Sequence, residues 1–156
     1  RQMCIRDSLM AIKIITDSTA EYEMGELREK DIICVPMSIT FNHQSFLDGV
    51  ELSKDVFFEK LLAKEGMPTT SQPSPEAFLT HFEAAKKNQD AVIVILISSA
   101  LSGTVQSARL AKEMADYDDI YIIDSLTATI GIKLLVDEAV KMRHEGGYSF
   151  RYCTNY

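Results

Sequence analysis

The sequence predicts an α/β domain, in which a mainly parallel sheet is flanked by helices. Residues 91–96 form a continuous apolar, β-branched run, which is typical of a strand buried on both faces. Such runs alternate with helix-forming stretches, as parallel strands joined by right-handed crossovers require. Acidic or hydroxyl residues follow three predicted strands, at 17–18, 98–104 and 124–125. These are the strand ends at which open α/β sheets bind ligands.

The first strand is predicted at residues 12–16. It ends in Asp17-Ser18-Thr19-Ala20, a run typical of a helix N-cap, so the acidic stretch at 21–27 is expected to be a short helix. Residues 32–41 are predicted as the second strand.

A hairpin and a helix are expected next. Asn42-His43-Gln44 is predicted as the turn, and the chain returns through residues 45–47. Ser53 is expected to cap a helix that runs to about residue 64. The apolar side chains expected to face inward from this helix are Val56, Phe57, Leu61 and Leu62.

Residues 66–74 are predicted as a hydroxyl-rich loop before the next helix. Ser74 followed by Pro75 is the pattern of a helix start, with the serine as N-cap and the proline in the first turn. Capping does not explain Thr70 and Ser71, because both precede the cap. The core-facing residues of the helix are Phe78, Phe82 and Ala85.

The strand at 91–96 leads into a second hydroxyl-rich loop at 97–104, and a helix follows. This order predicts a receptor for an oxyanion, because unpaired backbone N–H groups and the positive end of the helix dipole point at one place. The loop has no lysine and therefore suits a carboxylate or a single phosphate. Residues 120–123 are predicted as the last strand. A helix from 127 to about 143 is apolar on much of its circumference and is expected to pack on two sides.

The composition argues against several classes of function. The 156 residues, 46% hydrophobic and 25% charged, are ordinary for a globular domain. A net charge of −7 without a basic stripe disfavours binding to nucleic acid or to an anionic membrane surface. No apolar run is long enough to insert stably in a membrane. Cys4, Cys34 and Cys153 lack disulfide or metal-site spacing, so a cytoplasmic location is expected.

The two ends do not follow the α/β pattern. Residues 1–9 have no periodicity and no signal-peptide segment, and we expect a non-native leader. The domain is therefore expected to cover residues 10–147. Residues 148–156 are expected to be a truncated or non-native tail.

Six segments occur in a specific order, and together they cover most of the chain. They are residues 13–20, 35–39, 47–50, 69–75, 97–108 and 123–125. The most specific are the Thr-Ser-Gln-Pro-Ser run that begins at Thr70 and the Leu-Ser-Gly-Thr run that begins at Leu101. In this order the segments resemble the DegV family of bacterial fatty-acid-binding proteins.

The resemblance implies a two-domain protein that buries one long-chain fatty acid between its domains and has no catalytic activity of its own. Members of the FakB type present the carboxyl group to a separate fatty acid kinase, which is the expected partner. The second domain is expected to be missing or truncated here. By position, Thr70 and Ser102 hold the carboxyl group. The neighbours in the head-group pocket are Ser71, Gly103 and Thr104.

Enzymatic function is disfavoured. Ser98, Ser99 or Ser102 could act as a nucleophile with His43 or His81 as base, but the glycines of a nucleophile elbow are absent. No glycine-rich phosphate loop of a kinase is present either. No catalytic residue is therefore predicted.

No metal or other cofactor is predicted, and two alternatives to the fatty-acid carrier stay open. Asp17, Asp48 and Asp124 could together bind magnesium, but a cap and a turn already explain the first two. One alternative is a phosphate-bearing ligand on the same loops. The other is a regulatory or interaction domain without a ligand, in which serines only cap helices. The serines to which capping applies are Ser18, Ser53, Ser74 and Ser125.

Overall fold

A computed structural model describes residues 11–64 and 66–145; the predicted leader at 1–9 and tail at 148–156 lie outside the described residues. The strands are β1 (Ile12–Asp17), β2 (Ile32–Val35), β3 (Ser38–Phe41), β4 (Gln44–Leu47), β5 (Thr69–Ser71), β6 (Ala91–Leu96) and β7 (Ile120–Asp124). The helices are α1 (Met24–Glu29), α2 (Lys54–Leu62), α3 (Pro75–Asn88), α4 (Thr104–Ala115) and α5 (Ile130–His144).

The main sheet is parallel and has the strand order β2-β1-β6-β7. Its register places Ile93 of β6 beside Ile14 of β1 and beside Tyr121 of β7. The run from Val92 to Leu96 is buried, as expected of a central parallel strand. The predicted α/β class is therefore confirmed, and the carboxyl ends of these strands lie at one edge of the sheet.

Helices cover the main sheet on both faces. On one face α3 and α4 pack on the sheet, and Phe78 and Phe82 are fully buried there, as predicted. On the other face α5 buries Ile132 and Val136 against the sheet. Burial of one such side chain contributes about 1.5–3 kcal/mol. The helices thereby fix the strand ends that carry the site.

The predicted single strand at 32–41 is wrong, because the chain leaves the main sheet at Pro36. This residue has no N–H group to donate to a strand ladder and separates β2 from β3. The second part joins an antiparallel sheet of order β4-β3-β5. The predicted hairpin is confirmed, and its turn residues Asn42 and His43 both have positive φ, as a tight hairpin turn requires.

Two helix expectations need correction. Three of the four α2 residues expected to face inward, Val56, Leu61 and Leu62, are exposed, because among the described residues α2 packs mainly through Phe57, against the small sheet. Helix α5 was expected to pack on two sides, but Ile130 and Leu134 are 71% and 66% exposed. Within residues 11–64 and 66–145, one face of α5 is left uncovered. None of the described helices has the length and apolarity needed to span a membrane.

Candidate functional site

The site lies where β1, β6 and β7 end, and hydrogen bonds join these ends. The backbone N–H of Ile97, directly after β6, donates to the Asp17 carboxylate at 2.8 Å. The Ser99 backbone N–H donates to both Asp124 carboxylate oxygens at 3.2 and 3.3 Å, and the Ser99 hydroxyl donates to the same group. The bond from the Ser99 side chain, the largest contribution, lowers the pKa of Asp124. The carboxylates of Asp17 and Asp124, at the ends of the two neighbouring strands, thus hold the segment that directly follows β6.

The loop after β6 is folded around Ser98, which is itself buried. The Ser98 hydroxyl accepts from the backbone N–H of Ala100 at 3.2 Å. Its carbonyl accepts from the N–H groups of Leu101 and Ser102 at 2.9 and 3.1 Å. The expectation that this loop offers unpaired N–H groups is therefore wrong for these residues, because the loop satisfies them internally.

Open donors lie one step later, at the first turn of α4. In the described part of the chain, the N–H groups of Gly103, Val105 and Gln106 have no acceptor. They precede the first helical hydrogen bond, which runs from the Ser107 N–H to the Gly103 carbonyl at 3.0 Å. An anion at this end of the helix would also meet the positive end of the helix dipole.

Ser102 and Thr104 form a hydroxyl pair at the same helix start. Their oxygens are 2.8 Å apart, and the Thr104 backbone N–H donates to the Ser102 oxygen at 3.3 Å. Thr104 is fully buried, whereas Ser102 is half-buried. When the Thr104 hydroxyl donates, the Ser102 hydrogen is left to donate to a ligand. The buried Thr104 hydroxyl then holds the Ser102 side chain in place through this hydrogen bond.

The first hydroxyl segment is strand β5 rather than a loop. It lies at the edge of the small sheet, where Thr70 pairs with Ile39 and Ser71 pairs with Ser38. Directly opposed residues share a face, so Thr70 lies on the side of Ile39, which belongs to an apolar cluster with Phe41. All three hydroxyl residues of β5 (Thr69, Thr70 and Ser71) are exposed, and in the described chain none of their side chains makes a hydrogen bond.

Gln72 joins the two hydroxyl segments. It follows β5 directly, and its amide nitrogen donates to the hydroxyl of Ser107, inside α4, at 3.2 Å. Its amide oxygen is 2.1 Å from the point at which a Cβ of Gly103 would stand. The predicted residues Ser102 and Ser71 each adjoin this contact in sequence. Sequence reasoning did not single out Gln72, because only the fold brings it to a glycine far along the chain.

The four serines assigned to capping have three different outcomes. Ser53 caps α2, accepting from the Val56 N–H at 3.3 Å, as predicted. Ser74 occupies the N-cap position of α3 but makes no cap hydrogen bond with its side chain. Ser18 accepts from the Met37 N–H at 3.1 Å, and Ser125 bonds within its own turn. For Ser18 a contact with the connection between β2 and β3 replaces the expected cap, and for Ser125 a local turn does so.

The candidates for catalysis or metal binding are not brought together. His43 lies in the hairpin turn, and His81 lies half-buried on α3, where burial lowers its pKa. Neither forms a hydrogen bond with a serine among the described residues. In this part of the chain no three His, Cys, Asp or Glu residues form a group that could hold a metal ion.

Known proteins of similar sequence and similar fold agree with this architecture. The profile of a family described as "Uncharacterised protein, DegV family" matches residues 11–155. A DegV domain-containing protein of Clostridium perfringens is 40% identical over 135 residues, which cover 86% of this chain and 48% of that protein. A stearic acid-binding protein of Eubacterium ventriosum superposes with a TM-score of 0.82 at 28% identity. The superposition covers 86% of this chain and 48% of the Eubacterium protein.

Two further solved structures cover 88% of this chain. Bacillus subtilis DegV, described as a fatty acid binding protein, has a TM-score of 0.78 at 33% identity and is itself covered to 49%. The fatty acid kinase (Fak) B3 protein of Streptococcus pneumoniae, loaded with linoleic acid, has a TM-score of 0.73 at 31% identity and is covered to 50%. The chain spans about half the length of the curated relatives it matches.

Proposed function

The chain belongs to the DegV family, and from this premise we propose that it binds a long-chain fatty acid whose carboxyl group lies between β5 and the start of α4. The observation that carries the proposal is the contact between Gln72 and Gly103, which joins the two hydroxyl segments. Thr70 and Ser102 supply hydroxyl donors, with Ser71, Gly103 and Thr104 as their neighbours. The solved relatives that carry fatty acids support this assignment.

The acyl chain sets the affinity, and the hydroxyl groups set the orientation. Each buried methylene contributes about 0.8 kcal/mol, so a long tail contributes on the order of 10 kcal/mol before ordering costs. A neutral hydrogen bond contributes only about 1 kcal/mol. A carboxylate held by hydroxyl and amide donors alone is costly to bury completely. We therefore expect the carboxyl group to lie near solvent, which suits its delivery to another protein.

We also propose that this chain forms the first of two domains. It covers about half of each relative described above, and several apolar side chains of α5 and of the loops after β6 and β7 are exposed. These are Leu101, Leu126, Ile130 and Leu134. A second domain packed here would complete the apolar walls that a buried acyl chain needs.

The proposed role is that of a cytoplasmic carrier, without catalytic activity, which presents the acid to a separate fatty acid kinase. The Fak B3 relative supports the kinase partnership. The test is mass spectrometry of organic extracts from the 156-residue chain and from the full-length protein, as wild type and as Thr70→Ala/Ser102→Ala. Stoichiometric fatty acid in the full-length wild type is expected. Empty protein after expression in lipid-replete cells would contradict the carrier function.

A phosphate-bearing ligand is the second candidate, because the open N–H groups at the start of α4 suit a phosphate equally well. Calorimetric titration of the same protein with inorganic phosphate separates the two. Binding of phosphate without extracted lipid would favour this candidate. Neither ligand would favour an interaction domain.

A further inference from the structure

We propose that Gln72 is a positioning residue, which fixes the separation between β5 and the start of α4 and so sets the spacing of the two carboxyl-binding hydroxyls. This inference rests on the proposed function and assigns a role within it. Gln72 is not itself expected to touch the ligand. Its amide is directed at α4, where it bonds the buried hydroxyl of Ser107.

The first argument is the fit of the amide against a glycine. A Cβ at Gly103 would stand 2.1 Å from the Gln72 amide oxygen, 2.7 Å from its carbon and 2.8 Å from its nitrogen. Gly103 has an ordinary φ of −77°, so backbone conformation does not require glycine at this position. The absence of a side chain at Gly103 leaves the space that the Gln72 amide occupies, and a Cβ there would displace the amide.

The second argument is hydrogen bonding. Ser107 is only 4% exposed, and within the described residues the Gln72 amide is the bonding partner of its hydroxyl. A buried hydroxyl that loses its hydrogen-bond partner destabilises the fold. The bond therefore favours the position of the Gln72 amide against α4.

The third argument is the stiffness of the chain on either side. Gln72 precedes Pro73, which is buried, and a residue before proline is restricted to extended conformations. On the N-terminal side, Ser71 is fixed in β5 by pairing with Ser38. Because the flanks are stiff, β5, Gln72 and Pro73 form one unit, and the bond from Gln72 to Ser107 sets where this unit, with Thr70 on it, lies relative to α4.

The test measures head-group selectivity. Delipidated full-length protein is titrated with palmitic acid and with hexadecanol, each in competition with a fluorescent acyl probe. The two ligands share the acyl chain, so the ratio of their affinities reports the carboxyl contacts alone. We expect Gln72→Ala to lower the acid-to-alcohol ratio about tenfold, equivalent to about 1.4 kcal/mol, with little change in hexadecanol affinity.

Three further variants separate positioning from other roles. Ser107→Ala leaves the Gln72 amide intact but removes its anchor, so a positioning role predicts the same loss of selectivity. Gly103→Ala should displace the amide, and adding Gln72→Ala to it should cause no further loss. Gln44→Ala, an exposed glutamine in β4 of the same small sheet, is the matched control and should leave the ratio unchanged.

The outcomes are distinguishable. An unchanged ratio in Gln72→Ala, with wild type preferring the acid, would overturn the positioning role and leave the carrier function standing. Loss of selectivity in Gln72→Ala but not in Ser107→Ala would also overturn it, since Gln72 would then contact the carboxyl group directly. A wild type that binds neither ligand would overturn the carrier function and this inference together.

Discussion

Two fully buried threonines are expected to respond in opposite directions when their hydroxyls are removed. Thr16, in β1, has a side-chain oxygen without a hydrogen-bond partner in the described chain, whereas the Thr104 oxygen lies 2.8 Å from that of Ser102. Valine keeps the branched shape of threonine and replaces the hydroxyl by a methyl group. An unsatisfied buried hydroxyl costs about 1–3 kcal/mol, so Thr16→Val should stabilise the fold by about 1 kcal/mol or more.

Thr104→Val removes a hydrogen bond instead, and should destabilise the fold by about 0.5–1.5 kcal/mol. For a domain of this size, 1 kcal/mol corresponds to a shift of roughly 2–6 °C in the midpoint of thermal unfolding. Circular dichroism melts of the wild type and both variants measure the shifts. A lower midpoint for Thr16→Val than for wild type would refute the reasoning, because the hydroxyl would then have a stabilising partner.

Three further outcomes are expected. Asp124→Asn should destabilise the fold at neutral pH. This destabilisation should shrink as the pH falls below about 3.9, the ordinary pKa of an aspartate carboxyl group. Cys34, whose thiol pKa is raised to about 12 chiefly by burial, should resist alkylation at pH 8 until the protein unfolds. Leu134→Glu should leave the stability of the 156-residue chain unchanged within about 0.5 kcal/mol, but weaken docking of the proposed second domain.

Each of these outcomes has a direct check. Thermal midpoints measured from pH 7 to pH 2 test the carboxylate, whose lowered pKa means that its stabilising effect is lost as acid protonates it. A midpoint difference that stays constant over this range would contradict that reasoning. Rapid alkylation in native buffer would contradict the burial of the Cys34 thiol. Equal limited proteolysis of wild-type and Leu134→Glu full-length protein would contradict domain docking on α5.

The elements that the sequence predicted well are those whose local pattern and burial agree. The run from Val92 to Leu96 is buried on both faces, and Phe78 and Phe82 recur at helical spacing, so an uninterrupted apolar run and a helical period identified them. Prediction failed where the fold decides which neighbour an element meets. Val56 and Leu62 have helical spacing, but within residues 11–64 and 66–145 no second layer covers α2, and spacing alone does not reveal that.

The candidate site divides in the same way. Hydroxyl groups at the end of β6 are visible in the sequence, and the structure keeps Ser102 and Thr104 together there. The contacts that hold the segment of these two residues could not be predicted from the sequence. Asp124 bonds Ser99, and Gln72 meets Gly103, only because β7 and β5 are brought beside this loop. Contacts between residues distant in sequence leave no local pattern to read.

The internal bonding of the loop around Ser98 also has a kinetic consequence. Five successive or nearly successive backbone donors, from Ser99 to Thr104, already have acceptors in the protein. Ligand binding therefore loses little affinity to the ordering of this segment, because the segment is already ordered in the folded protein. The amides at the tip should exchange slowly with deuterium even in empty protein. For the proposed carrier, rates of loading and release would then reflect how fast the acyl chain gains access, rather than any rearrangement at the head group.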